Sequence, residues 1–166
     1  MGKYDEAVSY YNQLINSSSK LSQNAYYQLG NAYLKTGKKQ EALSAFRSAY
    51  QMDFDRKVQQ LAHEQYAKLS YEIGNPFEAA PKVIQNYISK YPASSGTAEM
   101  KSLLVKSYLY SGSYKETLEA IDKLSNSTPE TDQIDQEVSF LLGTEEFNKG
   151  NYDSAENYLL RSLEIN

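Results

Sequence analysis

At 166 residues, 40% hydrophobic and 23% charged, the chain is globular in composition and long enough for one domain or a short stack of repeats. A formal net charge of −4 argues against non-specific nucleic-acid binding, and the lack of cysteine removes disulfides, thiolate nucleophiles and cysteine-based metal sites. No apolar run approaches the roughly 20 residues that a bilayer-spanning helix needs, so direct membrane insertion is not expected. Nor does an apolar stretch of signal-peptide type follow Met1. A cysteine-free chain fits cytoplasm or periplasm equally. The charge is uneven, with residues 1–56 carrying +2, residues 57–128 +1 and residues 129–166 −7.

The glycines set the organisation. Gly2, Gly37, Gly74, Gly112 and Gly150 recur at steps of 35, 37, 38 and 38 residues, and Gly30 and Gly143 each stand seven residues before one of them. A period of this size predicts stacked helical hairpins. Residues 1–21 read as the second helix of a partial unit, with Tyr4, Ala7, Tyr11 and Leu14 at helical spacing up to about Asn16. Residues 23–56 form a full unit, with Tyr26, Leu29 and Tyr33 on one helix and Ala42, Phe46 and Ala49 on the next. Gly37 takes the turn between them, Ser22 is a candidate N-cap, and Gly30 is expected to face Ala42.

Residues 60–94 form a divergent unit in which Asn75-Pro76 inserts a residue. Pro81 must then occupy a first turn, which starts its helix near Ala79 or Ala80. In residues 98–131, Ser113 and Glu116 have the spacing of a capping box. Residues 136–166 form a nearly complete unit carrying Leu142-Gly143, Gly150, Tyr152, Ala155 and Leu159, and end at Asn166 in the last turn of a second helix. The expected product is an all-α array of about nine helices, a window onto a longer one.

This pattern resembles the tetratricopeptide repeat, a helix–turn–helix of about 34 residues, and the resemblance implies an all-α right-handed solenoid. Tyr26 stands in place of the usual tryptophan, Leu29-Gly30 is the Leu-Gly pair, and Tyr33, Gly37, Ala42, Phe46 and Ala49 take the remaining signature places. Leu104, Tyr108, Gly112, Tyr114, Ile121, Leu124 and Pro129 keep the same register in the third full unit. The segments Met52-Asp53-Phe54-Asp55, Tyr66 to Glu72, Asn75-Pro76-Phe77 and Lys90-Tyr91-Pro92-Ala93-Ser94 are also similar to Bacteroidetes cell-envelope proteins of the Tol-Pal-associated and outer-membrane-assembly type. That kinship implies a periplasmic or envelope-associated bacterial scaffold.

The resemblance further implies a concave groove lined by the first helices of successive repeats. Its inward places would be Asn24, Tyr27, Gln28, Asn31, Leu34 and Lys35, then Glu64, Gln65, Lys68, Tyr71 and Glu72. Glu99, Leu103, Lys106, Leu109 and Tyr110 would follow, then Glu137, Phe140, Leu141, Thr144, Phe147 and Asn148. Leu103, Phe140 and Phe147 could equally pack between repeats, whereas Tyr27, Lys35, Lys68 and Tyr110 are expected to be exposed. Aromatics mixed with amides and both charges suit a peptide or a partner's helix. The carboxylate clamp of some relatives is not reproduced. Asn31 matches it, but Tyr27, Gln65, Glu99 and Leu103 fill its other places.

No catalytic constellation is visible, and neither a cofactor nor a metal site is expected. His63 is the one histidine, and it falls on a packing place. Glu130, Asp132, Asp135 and Glu137 lack the order of a calcium loop. The expected function is therefore non-catalytic protein binding. The alternative is self-assembly through the array ends, where Val8, Tyr11 and Leu14 lie at one side and Leu160 and Leu163 at the other.

Overall fold

The computed structural model describes residues 2–15 and 19–164, and all regular structure within them is helical. Nine helices follow in order: α1 (Gly2–Leu14), α2 (Lys20–Lys35), α3 (Lys39–Gln51), α4 (Arg56–Ile73), α5 (Ala80–Lys90), α6 (Thr97–Tyr110), α7 (Tyr114–Ile121), α8 (Pro129–Asn148) and α9 (Tyr152–Glu164). The limits read at Met1, Asn16 and Asn166 lie outside the described residues. The helices group into two compact units, residues 1–94 with α1–α5 and residues 95–166 with α6–α9. Within the first unit each helix packs on the next, and α2 also packs on α4. Within the second, α6, α7, α8 and α9 pack in succession.

Three of the hairpin turns close in one way. At Gly37, φ is +75°, a value that opposes a Cβ, and the next residue's amide, Lys38 N, reaches back to the carbonyl of Tyr33 at 2.9 Å. Gly112 and Gly150 repeat the left-handed turn, with Ser113 N bonded to Tyr108 O and Asn151 N to Glu146 O. Gly74 differs. Its ψ of 163° is extended, and the following Asn75 side chain accepts from Phe77 N at 2.9 Å. This Asx turn accommodates the residue inserted at Asn75-Pro76. Gly2 is not a turn glycine, because it opens α1.

Gly30 and Gly143 serve close packing instead. A Cβ on Gly30 would lie 2.6–2.8 Å from the ring of Phe46, so the helix faces Phe46 there and not Ala42. On Gly143 it would meet Leu159 Cγ at 2.7 Å. These contacts seat α2 on α3 and α8 on α9.

The helix starts correct two expectations. Ser19, not Ser22, caps α2, accepting from Ser22 N at 3.2 Å, while the buried Ser22 hydroxyl donates to Leu14 O. The Ser113–Glu116 capping box does not form, and the Ser113 hydroxyl pairs with that of Ser111. A reciprocal box is built at Thr128 and Thr131 instead, and Pro129 occupies the first turn of α8. That helix therefore begins seven residues before Gln136. Asp55 caps α4, and Ala79 precedes α5 with Pro81 in its first turn, as its sequence requires.

His63 is 3% exposed and packs at the centre of the first unit. Its ring stacks on Tyr50 at 4.5 Å and meets the edges of Tyr87 and Tyr91 at 5.5 and 5.9 Å. Tyr50 in turn stacks on Tyr66 at 5.0 Å, and both hydroxyls donate to Glu78. Burial, with Lys90 nearby, pushes the His63 imidazole down to about 4. The second unit has its own core of Val105, Leu118, Ala120, Ile134, Val138 and Leu142. Arg161 holds its helix ends together, bonding Asp135 through two nitrogens at 2.7 and 2.8 Å and Asp122 at 2.8 Å.

Two predictions concern this packing. Gly30→Ala should destabilise the chain by about 1–3 kcal/mol through overpacking, read as a lower melting temperature. Adding Phe46→Leu should recover part of that loss, and no recovery would mean that the ring is not the obstacle. His63 has a lower pKa folded than unfolded, so the unfolded chain binds the extra proton as pH falls from 6.5 towards 4. Its contribution is intact above pH 6.5 and should fall by about 3 kcal/mol across that window. His63→Phe should flatten the corresponding part of the melting temperature against pH curve.

Candidate functional site

The first helices of the hairpins present the residues expected to bind, and each unit has its own set. On α2, positions 24, 27, 28, 31, 34 and 35 share one face by their spacing of three and four. Tyr27, Gln28, Asn31 and Leu34 are half-buried there, and Lys35 is exposed at the helix end. The Tyr27 ring leans on Phe46 at 5.8 Å, so it is anchored and not freely exposed. On α4, Gln65, Lys68 and Tyr71 are half-buried and Glu72 is exposed.

Helices α2 and α4 also pack on one another. Ion pairs hold Lys68 and Glu72. Lys68 meets Glu64 one turn back at 3.0 Å, and Glu72 is paired with Lys39 of α3. Near the start of both helices lies a depression of about 550 Å3, walled by Lys20, Leu21, Asn24, Asp55 and Val58. Asn24 was an expected member of this face, whereas Leu21 and Val58 were not. Leu21 stands one turn before Asn24, so helical spacing alone could have found it. Lys20 and the N-cap carboxylate of Asp55 close the rim at 3.1 Å. Backbone donation from Val58, followed by Lys20, holds the Asp55 carboxyl below its usual range.

In the second unit the rows lie on α6 and α8. Lys106 is half-buried and pairs with Glu130, in the first turn of α8, at 2.9 Å. Tyr110, the last residue of α6, is 81% exposed. Leu109, an expected inward residue, packs against the unit's own core instead. The strongest feature is the outer strip of α8, where Phe140, Leu141, Thr144, Phe147 and Asn148 are all exposed. Phe140 and Phe147, each 57% exposed, are therefore not packed between helices of this unit.

Phe147 extends the strip towards the end of the unit, where its ring meets that of Tyr152 at 5.5 Å. The two rings join Ala155, Leu159, Leu160 and Leu163 around an apolar depression of about 360 Å3. On the far side of α8, Glu146 is buried and accepts from Asn151 and Lys149, which hold its carboxyl below the usual range. Glu145 also pairs with Lys149, so these neighbouring carboxylates are salt-bridge partners. Among the described residues no group of three His, Asp or Glu side chains stands close enough to hold a metal ion. No helix among them is long and apolar enough to cross a membrane.

Two family models, each described as a tetratricopeptide repeat, match residues 1–57 and residues 137–166. Among solved structures the chain is similar to a crystal structure of MamA, at 20% identity and a TM-score of 0.56, spanning 99% of this chain and 89% of that one. A second MamA crystal structure gives 20% identity and a TM-score of 0.55, spanning 99% of this chain and 83% of the other. Residues 41-end of MamA from Desulfovibrio magneticus RS-1 give 18% identity and a TM-score of 0.52, spanning 99% and 86%. At these identities the likeness is one of fold. No curated protein matches the chain by sequence.

Proposed function

From a chain that carries tetratricopeptide repeats, we propose a non-catalytic scaffold that binds a peptide or a partner's helix along its first-helix faces. The observation that carries this reading is the outer strip of α8. Phe140, Leu141 and Phe147 are large apolar side chains left in water on a helix that already buries Val138 and Leu142 on its other side. Exposed aromatics interleaved with polar groups are the material of interface hot spots. The α2–α4 face supplies a matching set in Tyr27, Gln28, Asn31, Gln65 and Tyr71, where amides can satisfy an extended backbone. The envelope-type segments at Met52–Asp55 and Lys90–Ser94 support a place in a bacterial cell envelope.

A second reading is self-association through the array end. The depression around Phe147, Tyr152 and Leu160 is apolar, and Leu163 at its edge is 77% exposed. At the other end Val8, Tyr11 and Leu14 are half-buried, while Tyr4 and Tyr10 of α1 are exposed.

The two readings separate experimentally. A peptide selected on the wild-type chain from a displayed library should bind Phe140→Ala/Leu141→Ala at least about tenfold more weakly, with an unshifted melting temperature. Undiminished affinity would remove the α8 strip, and with it the observation that carries this reading. Under self-association, light scattering should show mass rising with concentration, and Leu163→Glu should abolish the rise. A constant monomer mass would dismiss that reading.

A further inference from the structure

A second concave surface in the first unit shares no residue with the faces described above. It is an open cleft of about 980 Å3 at the α3–α4 corner, walled by Gln51, Asp53, Arg56, Lys57, Lys90 and Tyr91. Three cations from two separate helices converge there against one carboxylate. Arg56, Lys57 and Lys90 are three of the cations that make no ion pair among the described residues, and the cleft gathers them in one place. Lys90 instead rests over the ring of Tyr91 at 5.6 Å.

Of the two carboxylates near this corner, Asp53 shares the cleft and Asp55 is occupied elsewhere. Asp55 caps α4 through Lys57 N and Val58 N and turns its other oxygen to Lys20. The carbonyls at the end of α3 would otherwise present a partial negative charge. Those of Ala49, Tyr50 and Met52 are taken by two internal amides, Gln23 Nε2 on Ala49 O and Met52 O, and Gln59 Nε2 on Tyr50 O. The first turn of α4, with its positive dipole end, opens beside the same cleft.

We propose that this cleft binds an acidic peptide segment of a partner protein, its carboxylates meeting Arg56, Lys57 and Lys90. The volume suits several residues and not a single ion. A nucleic acid fits less well, because the several phosphate contacts it needs call for a longer cationic track than Arg56, Lys57 and Lys90 provide. The arrangement predicts binding that is fast and salt-sensitive, as charge-complementary docking is.

The test is fluorescence anisotropy with a rhodamine-labelled octapeptide of alternating glutamate and alanine. The expected result is binding that weakens as salt rises and falls at least about tenfold in Lys57→Glu/Lys90→Glu. The same charge change in the second unit, Lys115→Glu/Lys123→Glu, should leave it nearly intact. Tyr27→Ala, placed on the α2–α4 face, should also leave it intact, which separates this site from the scaffold reading. No binding at low salt, or an equal loss in both charge-reversed pairs, would overturn the proposal. So would a concentration-dependent mass that Lys57→Glu/Lys90→Glu removes, because the occupant would then be a second copy of this chain.

Discussion

One buried amide fixes the geometry of the first unit. Helix α3 ends with carbonyls that have no partner inside the helix, as every helix does. Gln23, fully buried on α2, donates to two of them, at Ala49 and Met52, and to the carbonyl of Asp55. Its own oxygen accepts from Asp55 N at 2.7 Å. A single side chain thus terminates α3, places the cap of α4 and ties both to α2. The depression at Asn24 and Asp55 and the cationic cleft at Gln51, Asp53 and Arg56 are both walled by residues next to this junction, and both depend on it. Removing the amide would leave buried backbone groups unsatisfied, which costs more than the bond itself contributes.

The second unit reaches the same end by charge. Arg161 on α9 bonds Asp135 on α8 in a two-toothed grip and Asp122 at the end of α7. Asp135 also accepts from the Ser139 hydroxyl at 3.0 Å. The acidity of residues 129–166 is therefore partly structural, with Asp135, Glu130, Glu145 and Glu146 each committed to a cation. Asp153 and Glu156 remain as exposed surface charge on α9.

Much of this fold was legible because its governing contacts are local. A left-handed turn demands glycine, so Gly37, Gly112 and Gly150 announce three hairpins without help from distant residues. The Pro81 ring likewise dates the start of α5 from its own sterics. What was misread depends on competition between near-equals or on residues far along the chain. Ser19 and Ser22 are both plausible caps, and the choice is made by the carbonyl of Leu14, which claims Ser22. Ser113 and Glu116 have the right spacing for a box, yet the nearer Ser111 hydroxyl wins. Gly30 opposes Phe46 because of how far α3 is rotated against α2, which no local pattern encodes. The site divides in the same way. Helical spacing groups the α2 and α8 faces, but the cleft joins Arg56 and Lys57 to Lys90 across more than thirty positions and is invisible until the chain folds.

The ring stack around His63 has an optical consequence. The chain has 16 tyrosines and no tryptophan, so its near-ultraviolet spectrum belongs almost wholly to tyrosine. Tyr50 with Tyr66, and Tyr87 with Tyr91, lie 5.0 Å apart, close enough for their transitions to couple. Both pairs sit in the first unit, which also holds 11 of the 16 tyrosines. Circular dichroism near 275 nm would therefore report chiefly on residues 1–94, while the far-ultraviolet helix signal reports on both units. The molecule carries a built-in means of telling whether its two halves melt together or apart.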